Sequence, residues 1–354
     1  MKSGAINSLI GHFFADRTRE ELVLEGKARG IPIASVAQPA ELFSDEHFAA
    51  RDFFVELELA QARGKIPAGY QRIDGQRVGV RQPAPAVGQD TVAQFVAALN
   101  EAASTSTEFG GEPITRRPLE GLLVLDLGVI VAGAELGRLF ADQGAKVVKV
   151  ENKAFADGLR QSFDGNPVSI TFAQGSRGKK SLGLNLRSKK GIEIFKQLVK
   201  KADIVVSNFK PGTMEKLGIG YETLKLINPR IICAESSAMG SFGPQASTMG
   251  YGPLVRSSSS LSGLWRYPEQ EGGFGDGMTI FPDHFVARVS ATAIIAKLIQ
   301  RRSTGIGGYV DLSQAECIMT VLATEFLRES VEPGSMVAKG NRDEFDAPNS
   351  VLSC

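Results

Sequence analysis

From about residue 119 onward the chain alternates short apolar runs with amphipathic stretches. Leu122–Leu127, Lys146–Val150, Leu182–Leu186, Ile204–Val206 and Arg230–Ala234 have the length and continuity of buried strands. Between them lie segments of helical period, Ala134–Gln143 and Lys189–Ala202, the latter with Ile192, Phe195, Val199 and Ala202 on one stripe. A short helix over Thr213–Leu217 and longer ones over Phe285–Gln300 and Ser313–Arg328 complete the pattern. Alternation of this kind predicts the α/β class: a Rossmann-like parallel sheet with flanking helices. The first 80 residues read differently. A charged helix, Arg17–Arg29, is closed by Gly30, and a strand-like run follows at Ile31–Val36. Gln38-Pro39 breaks the chain before an acidic helix start at Glu41 and Asp45, and an apolar stretch covers Phe53–Leu59.

Between these halves, residues 81–90 and 103–118 are rich in Pro, Gly, Ser and Thr and predict exposed connection, with a helical piece at Thr91–Ala102. Composition changes the picture little. A hydrophobic fraction of 43% and a formal net charge of +1 fit a globular protein and give no reason to expect nucleic acid or a membrane surface as partner. Cys233, Cys317 and Cys354 lack metal-ligand or disulfide-framework spacing, which points to no metal and to a reducing, cytoplasmic setting.

Three loops carry candidate chemistry. The first follows the strand ending at Asp126-Leu127-Gly128; its small apolar residues lead into a helix whose free N–H groups suit an anion. The GxGxxG spacing is absent, which disfavours a nicotinamide cofactor. The second is the basic stretch Ser176–Ser181, with Arg177, Lys179 and Lys180 as candidate phosphate partners or as a solvated loop. The third, Ser207–Gly212, follows a buried strand and offers Asn208, Phe209 and Lys210 where open α/β sheets bind ligands.

These pieces occur in one order. PLEGLLVLDLG, FADQGAKVVKVE, SRGKKSLGLNL, KADIVVSNFKPGTMEKLGIGYETL, NPRIICAESS and RRSTGIGGYVDLSQAE resemble the N-terminal lobe of the family III, or CaiB/BaiF, CoA-transferases, which include the formyl-CoA and carnitine enzymes. The resemblance runs from Leu119 to about Thr320. GIPIASVAQPAELFSDEHFAARDFF and RQPAPAVGQDT resemble the same family's closing stretch, yet here they come first. The inverted order implies a section of a tandem-copy protein, with a circularly permuted domain as the rival arrangement. Residues 1–80 would be the C-terminal end of a preceding copy, 81–118 a linker with one short helix, and 119–330 the CoA-binding lobe. Residues 331–354 would begin a truncated, incomplete small α+β domain.

The resemblance implies coenzyme A as acyl-CoA substrate and a small carboxylic acid as the other reactant. It places Ile130, Val131 and Ala132 at the adenine–ribose end and Lys153 near the phosphates, with Lys179, Lys180, Asn208, Phe209 and Lys216 completing the site. The family's nucleophile is an aspartate after a Gly-Tyr pair. That place falls on Gly252 in Ser241–Gly252, and a glycine cannot form the acyl anhydride. Two further departures are Ala238-Met239-Gly240 in place of a glycine loop and Ser207 in place of a glutamate. The alternatives are a CoA-transferase active in its complete protein, a non-catalytic half supporting a second copy or a homodimer partner, and a racemase- or isomerase-type activity. Asp283 and His284 are the catalytic candidates for the last, as acid and base, with N-capping of the following helix the structural role for Asp283.

Overall fold

The computed structural model describes residues 3–58, 62–84, 88–89, 91–94, 96–97, 100, 117–161, 166, 168–270, 273–275 and 279–342. Its centre is an eight-stranded sheet. The strands are β1 (Phe54–Glu58), β2 (Arg63–Pro67), β3 (Gln71–Ile73), β4 (Gln76–Val78), β5 (Leu123–Asp126), β6 (Lys146–Glu151), β7 (Lys180–Gly183), β8 (Ile204–Ser207), β9 (Ile232–Ser237) and β10 (Gly308–Ser313). β1 and β2 form a separate antiparallel hairpin, and the large sheet runs β4-β3-β10-β9-β8-β5-β6-β7. The six strands from β10 to β7 are parallel, while β3 and β4 add antiparallel at the β10 edge. Numbered within the lobe, the parallel strands take the 3-2-1-4-5-6 order of doubly wound dinucleotide-binding sheets, which reverses between β5 and β8. The predicted class, a parallel sheet with helices on its faces, is the one observed.

The helices are α1 (Ser3–Ala15), α2 (Arg19–Arg29), α3 (Pro39–Leu42), α4 (Glu46–Ala50), α5 (Ile130–Asp142), α6 (Ile170–Ser176), α7 (Lys189–Val199), α8 (Thr213–Lys216), α9 (Tyr221–Ile227), α10 (Gly252–Ser258), α11 (Leu261–Leu264), α12 (Phe281–Thr304), α13 (Gln314–Val321) and α14 (Ala323–Val331). Two-residue alternation sends the strand side chains to opposite faces. Val124, Val147, Ile204, Ile232 and Val310 pack under α5 and α12 with Leu136, Phe140, Val286 and Ile294. Leu125, Val205 and Cys233 face the other way, against Phe195, Val199, Met214 and Leu224 of α7 to α9.

Several boundaries differ from expectation. Ile31–Val36 forms no strand: no strand among the described residues pairs with it, the Ile31 N–H bonds back to the Gly26 carbonyl, and the next residue, Ala37, donates to the Ser257 carbonyl of α10. The helix expected over Ser313–Arg328 breaks at Leu322 into α13 and α14. β7 starts two residues before the apolar run, at Lys180. The β3–β4 hairpin and β10 carry no long apolar run and were not expected. Of the linker piece expected at Thr91–Ala102, residues 92–94, 96–97 and 100 are helical and 95, 98–99 and 101–102 lie outside the described residues, as do residues 343–354.

Residues from Ala37 to Val78 pack onto the lobe of the same chain. Phe48, Phe53 and Leu42 join Val255, Ile318, Met319 and Phe326 in one apolar cluster. At its edge Arg51, fully buried, donates to Glu316 through Nε at 2.5 Å and to Asp311 through Nη2 at 3.1 Å. Arg77 adds a 2.6 Å bond to the same Glu316. Burial alone would push the Glu316 carboxyl up, but Arg77 and Arg51 together hold it below the usual range. Removing one partner strands a buried charge. Arg51→Met should therefore cost about 3–5 kcal/mol in denaturant unfolding; a loss within the scatter of surface substitutions would show that the ion pair does not hold this segment to the lobe.

Candidate functional site

The crevice outside the carboxyl ends of β5, β6, β7 and β8 lies at the point where strand order reverses, the usual ligand position of such sheets. It is a cavity of about 260 Å³ with mostly apolar walls, including Leu127, Val129, Phe155, Leu184, Phe209 and Leu217. Arg187 lines it too, its guanidinium 3.7 Å from the centre of the Phe155 ring. An apolar cleft with an aromatic face and a cation at one wall suits a flat heteroaromatic group carrying phosphates.

The first loop forms one wall and is held from three sides. Asn208 accepts from the Val129 N–H at 2.7 Å and donates to the Val129 carbonyl at 2.8 Å. Asp157 accepts from the Ile130 N–H at 3.0 Å, and buried Lys149 bridges Asp157 and the Gly128 carbonyl, each at 2.8 Å. Ile130 opens α5 at φ 56, a left-handed conformation costly for a β-branched side chain. These bonds fix that conformation and present the first turn of α5. Gly128 and Gly133 pack back to back, and a Cβ on Gly133 would fall 2.4 Å from the Gly128 Cα.

The sequence-derived candidates separate in space. Phe209 lines the crevice, and Ile130, Val131 and Ala132 form the first turn beside it. Lys153 is exposed in the turn after β6, between crevice residues Asn152 and Phe155; Lys216 is exposed on α8, between crevice residues Thr213 and Leu217. Asn208 spends its amide on the first loop. Lys179 does not belong with them: its ammonium is buried, 2.7 Å from Asp126 and 2.7 Å from the Ala134 carbonyl, and burial lowers its pKa. Lys180 stands at the amino end of β7, in register with Val148 in the middle of β6, away from the crevice. Crevice-lining residues not among the candidates are Arg187, Phe155 and Asn185; Arg187 and Phe155 follow strand-like runs, where ligands collect, while Asn185 falls inside the run expected as a strand, which ends early, at Gly183.

A second group gathers behind the first loop. Asp283 is not an N-cap, since α12 begins at Phe281 and Asp283 sits inside its first turn. Its buried carboxylate faces the backbone N–H groups of Gly252 and Ala132, at the starts of α10 and α5, and that of its own first turn, all of which act to lower its pKa. Such donors stabilise the anion, but burial outweighs them and pushes the pKa up to about 6. Gly252 opens α10, and a Cβ built there would lie 2.5 Å from Asp283 Oδ2 and 2.9 Å from the Ile280 Cα. The side-chain space of residue 252 is thus already filled. His284 turns away from Asp283 to pair with Glu135, on the wall of a cavity of about 240 Å³ that Asp283 does not line. The two candidates are neighbours in sequence that serve different surroundings.

Two outcomes follow from this packing. Gly252→Ala should destabilise the fold by about 1–3 kcal/mol through overpacking, measured by thermal melting; a neutral result would mean that Asp283 moves aside freely. Between its ordinary 3.8 and about 6, Asp283 holds a proton more tightly folded than unfolded, so its contribution to stability falls as pH rises through that window. Asp283→Asn removes this titration. The variant should gain on the wild type between pH 4 and 6, by on the order of 3 kcal/mol, in melts run across that range; a constant difference would contradict the buried-carboxylate assignment.

The sequence matches CoA-transferase family III over residues 2–91 and 119–354. A probable CoA-transferase of Mycobacterium tuberculosis is 44% identical over 331 residues, covering 92% of this chain and 41% of that protein. A succinate–glutarate CoA-transferase of Agrobacterium fabrum is 30% identical, covering 68% of this chain and 62% of that protein. An acetyl-CoA:oxalate CoA-transferase of Acetobacter aceti is 32% identical, covering 66% and 60%. Among solved structures, a CaiB/BaiF family protein from Brucella suis superposes with a TM-score of 0.62 at 32% identity, over 68% of this chain and 64% of that one. The chain thus spans less than two thirds of the length of each of these proteins. No helix among the described residues is long and apolar enough to cross a membrane. The matched segments, the strand order and the solved relative agree: the chain belongs to CoA-transferase family III.

Proposed function

We propose that this chain binds an acyl-CoA in the crevice at the β5–β8 reversal and serves CoA transfer between that thioester and a small carboxylic acid in the complete protein. The observation that carries this reading is the crevice itself, with Phe209, Phe155 and Arg187 around one apolar cavity at the first loop. The adenine–ribose portion would pack on the apolar wall. Arg187, Lys153 and Lys216 would face the phosphates, in place of the internal Lys179 and the distant Lys180. Family membership supports the reaction class, and the relatives named for succinate, glutarate and oxalate support a small acid as acceptor.

A second reading is favoured by one feature. The family's nucleophile place is Gly252, and the space a side chain would need there holds Asp283. A carboxylate introduced at 252 would meet another carboxylate at contact distance, an arrangement that keeps one of them protonated. That supports a binding half working beside an active copy. The tandem arrangement fits: one relative aligns with 92% of this chain, thus with both segments in this order, while the chain supplies only 41% of its length. In this reading residues 1–80 end a preceding copy and complete the sheet edge through β3 and β4. An acid–base role for the Asp283–His284 pair draws less support, because only His284 reaches a cavity.

Isothermal titration of CoA into the chain tests the binding claim. Saturable binding is expected, weakened roughly three- to tenfold by Phe209→Ala and by Arg187→Ala. Lys180→Ala should leave the affinity unchanged. Absence of CoA binding, or loss with Lys180→Ala alone, would move the site elsewhere.

A further inference from the structure

Behind the first loop, on the side away from the CoA crevice, the 240 Å³ cavity is lined by Val131, Glu135, Arg138, Ile280, His284 and Arg288, among other residues. Its position is defined at both ends. Val131 belongs to the first turn of α5, next to the crevice wall at Val129. Ile280 is the residue whose Cα lies 2.9 Å from a Cβ built at Gly252. The cavity therefore sits between the crevice and the place where this family carries out acyl chemistry. It is smaller than the roughly 300–1,000 Å³ of drug-sized pockets, which suits a short acyl group.

Its far wall is unusually charged. The buried carboxylate of Glu135 lies 2.6 Å from Arg288 and 3.2 Å from Arg138, and His284 bonds to its other oxygen. Arg138 also lies 3.6 Å from Asp142, which is itself held by Arg177 at 2.8 Å. The network thus sets three guanidinium groups against two carboxylates. Arg177 and Asp142 satisfy each other through two hydrogen bonds, at 3.2 and 2.8 Å. What remains is Arg138 and Arg288 sharing the single carboxylate of Glu135 at the cavity wall. Asp283 does not redress the balance, because it does not line this cavity and its carboxylate lies against Gly252. Arg288 keeps more than half of its side chain exposed and donates to the His284 carbonyl at 2.7 Å, so it is held at the rim with capacity for another acceptor.

We infer that this cavity recognises the distal carboxylate of a short dicarboxylic acyl group, with Arg288 and Arg138 as its anchors and Glu135 holding the two guanidiniums in place. Guanidinium groups bind carboxylates through paired charge-assisted bonds, and a terminal carboxylate supplies the one negative charge that the wall lacks. A methyl-ended acyl chain would leave that charge uncompensated and desolvate the arginines without return. The inference names the acid class for the acyl-CoA site proposed above and rests on that reading for the thioester end of the ligand.

The test uses two thioesters of equal carbon number, succinyl-CoA and butyryl-CoA, with CoA and free succinate as separate ligands of the full chain. Wild type should bind succinyl-CoA roughly tenfold more tightly than butyryl-CoA. Arg288→Ala and Arg138→Ala should each erase most of that preference while leaving the affinity for CoA unchanged, and Arg288→Lys should restore only part of it. Equal affinities for the two thioesters in the wild type, or a preference that survives both alanine variants, would overturn the inference. If no CoA species binds but free succinate binds in an Arg288-dependent way, the acid site stands and the acyl-CoA reading fails. If free succinate fails as well, neither stands. Arg288 is largely exposed, so its alanine variant should fold; circular dichroism of each variant separates lost recognition from lost structure.

Discussion

The buried pairing of Arg51 with Glu316 is the constraint on which much of this architecture rests. It joins a segment of the first 80 residues to the start of α13, and it does so beneath the loop that leads to residue 252. Gly240 has φ 86 and its missing side chain leaves the space that the Arg51 guanidinium occupies. The same guanidinium lies 4.4 Å from the Phe242 ring centre. His47 extends the clamp: it accepts from the Gln245 N–H at Nδ1, which makes Nε2 the protonated nitrogen that donates to the Met239 carbonyl at 2.8 Å. Burial lowers the His47 pKa and keeps the ring neutral, the only form able to make both bonds. The backbone from Met239 to Gln245 is therefore shaped by residues nearly two hundred positions away. A lobe without that segment would keep its parallel strands but lose the framework of this loop.

A similar economy governs the basic residues of the lobe. Lys149 and Lys179 are spent inside the protein, one on Asp157 and the first loop, the other on Asp126 and the carbonyl end of the first turns of α5. Each neutralises a buried acid next to the loop, and both neighbours are needed because isolated charges in such a place would be costly. Cations left for a ligand are those beyond the carboxyl ends of the strands. Position along a parallel strand thus decides whether a lysine is structural or available, and sequence clustering alone does not reveal it.

This explains what could and could not be read from the sequence. The parallel lobe was legible because its strands are apolar on both faces and its helices carry clear stripes; Leu122–Leu127 and Lys189–Ala202 needed no tertiary information. The β3–β4 hairpin was not legible. Four of its six strand residues are polar, among them Arg72 and Arg77, and its place in the sheet comes from pairing with β10 more than two hundred residues later. For the site, Phe209 was legible from its place after β8. Lys179 misled because a basic loop has the same appearance whether its charges meet phosphate or an internal aspartate. Arg187 was passed over because a lone arginine after a short strand carries no pattern of its own.

Gly252 shows most clearly what structure adds. In the sequence it is only a glycine after a Gly-Tyr pair. In the fold it is a condition for the site's present form. With no side chain at 252, the Asp283 carboxylate stands beside the starts of two other helices, α10 and α5, while in the first turn of its own. α5 carries the first loop, α10 follows the loop clamped by Arg51, and α12 carries His284 and Arg288. One carboxylate therefore couples the crevice wall, the clamped loop and the charged cavity. An aspartate introduced at 252 would not enter an open place; its Cβ alone would fall 2.5 Å from Asp283 Oδ2, so Asp283 would have to retreat. The glycine and the position of Asp283 are best understood as one adjustment, and any chemistry this lobe performs must work around it.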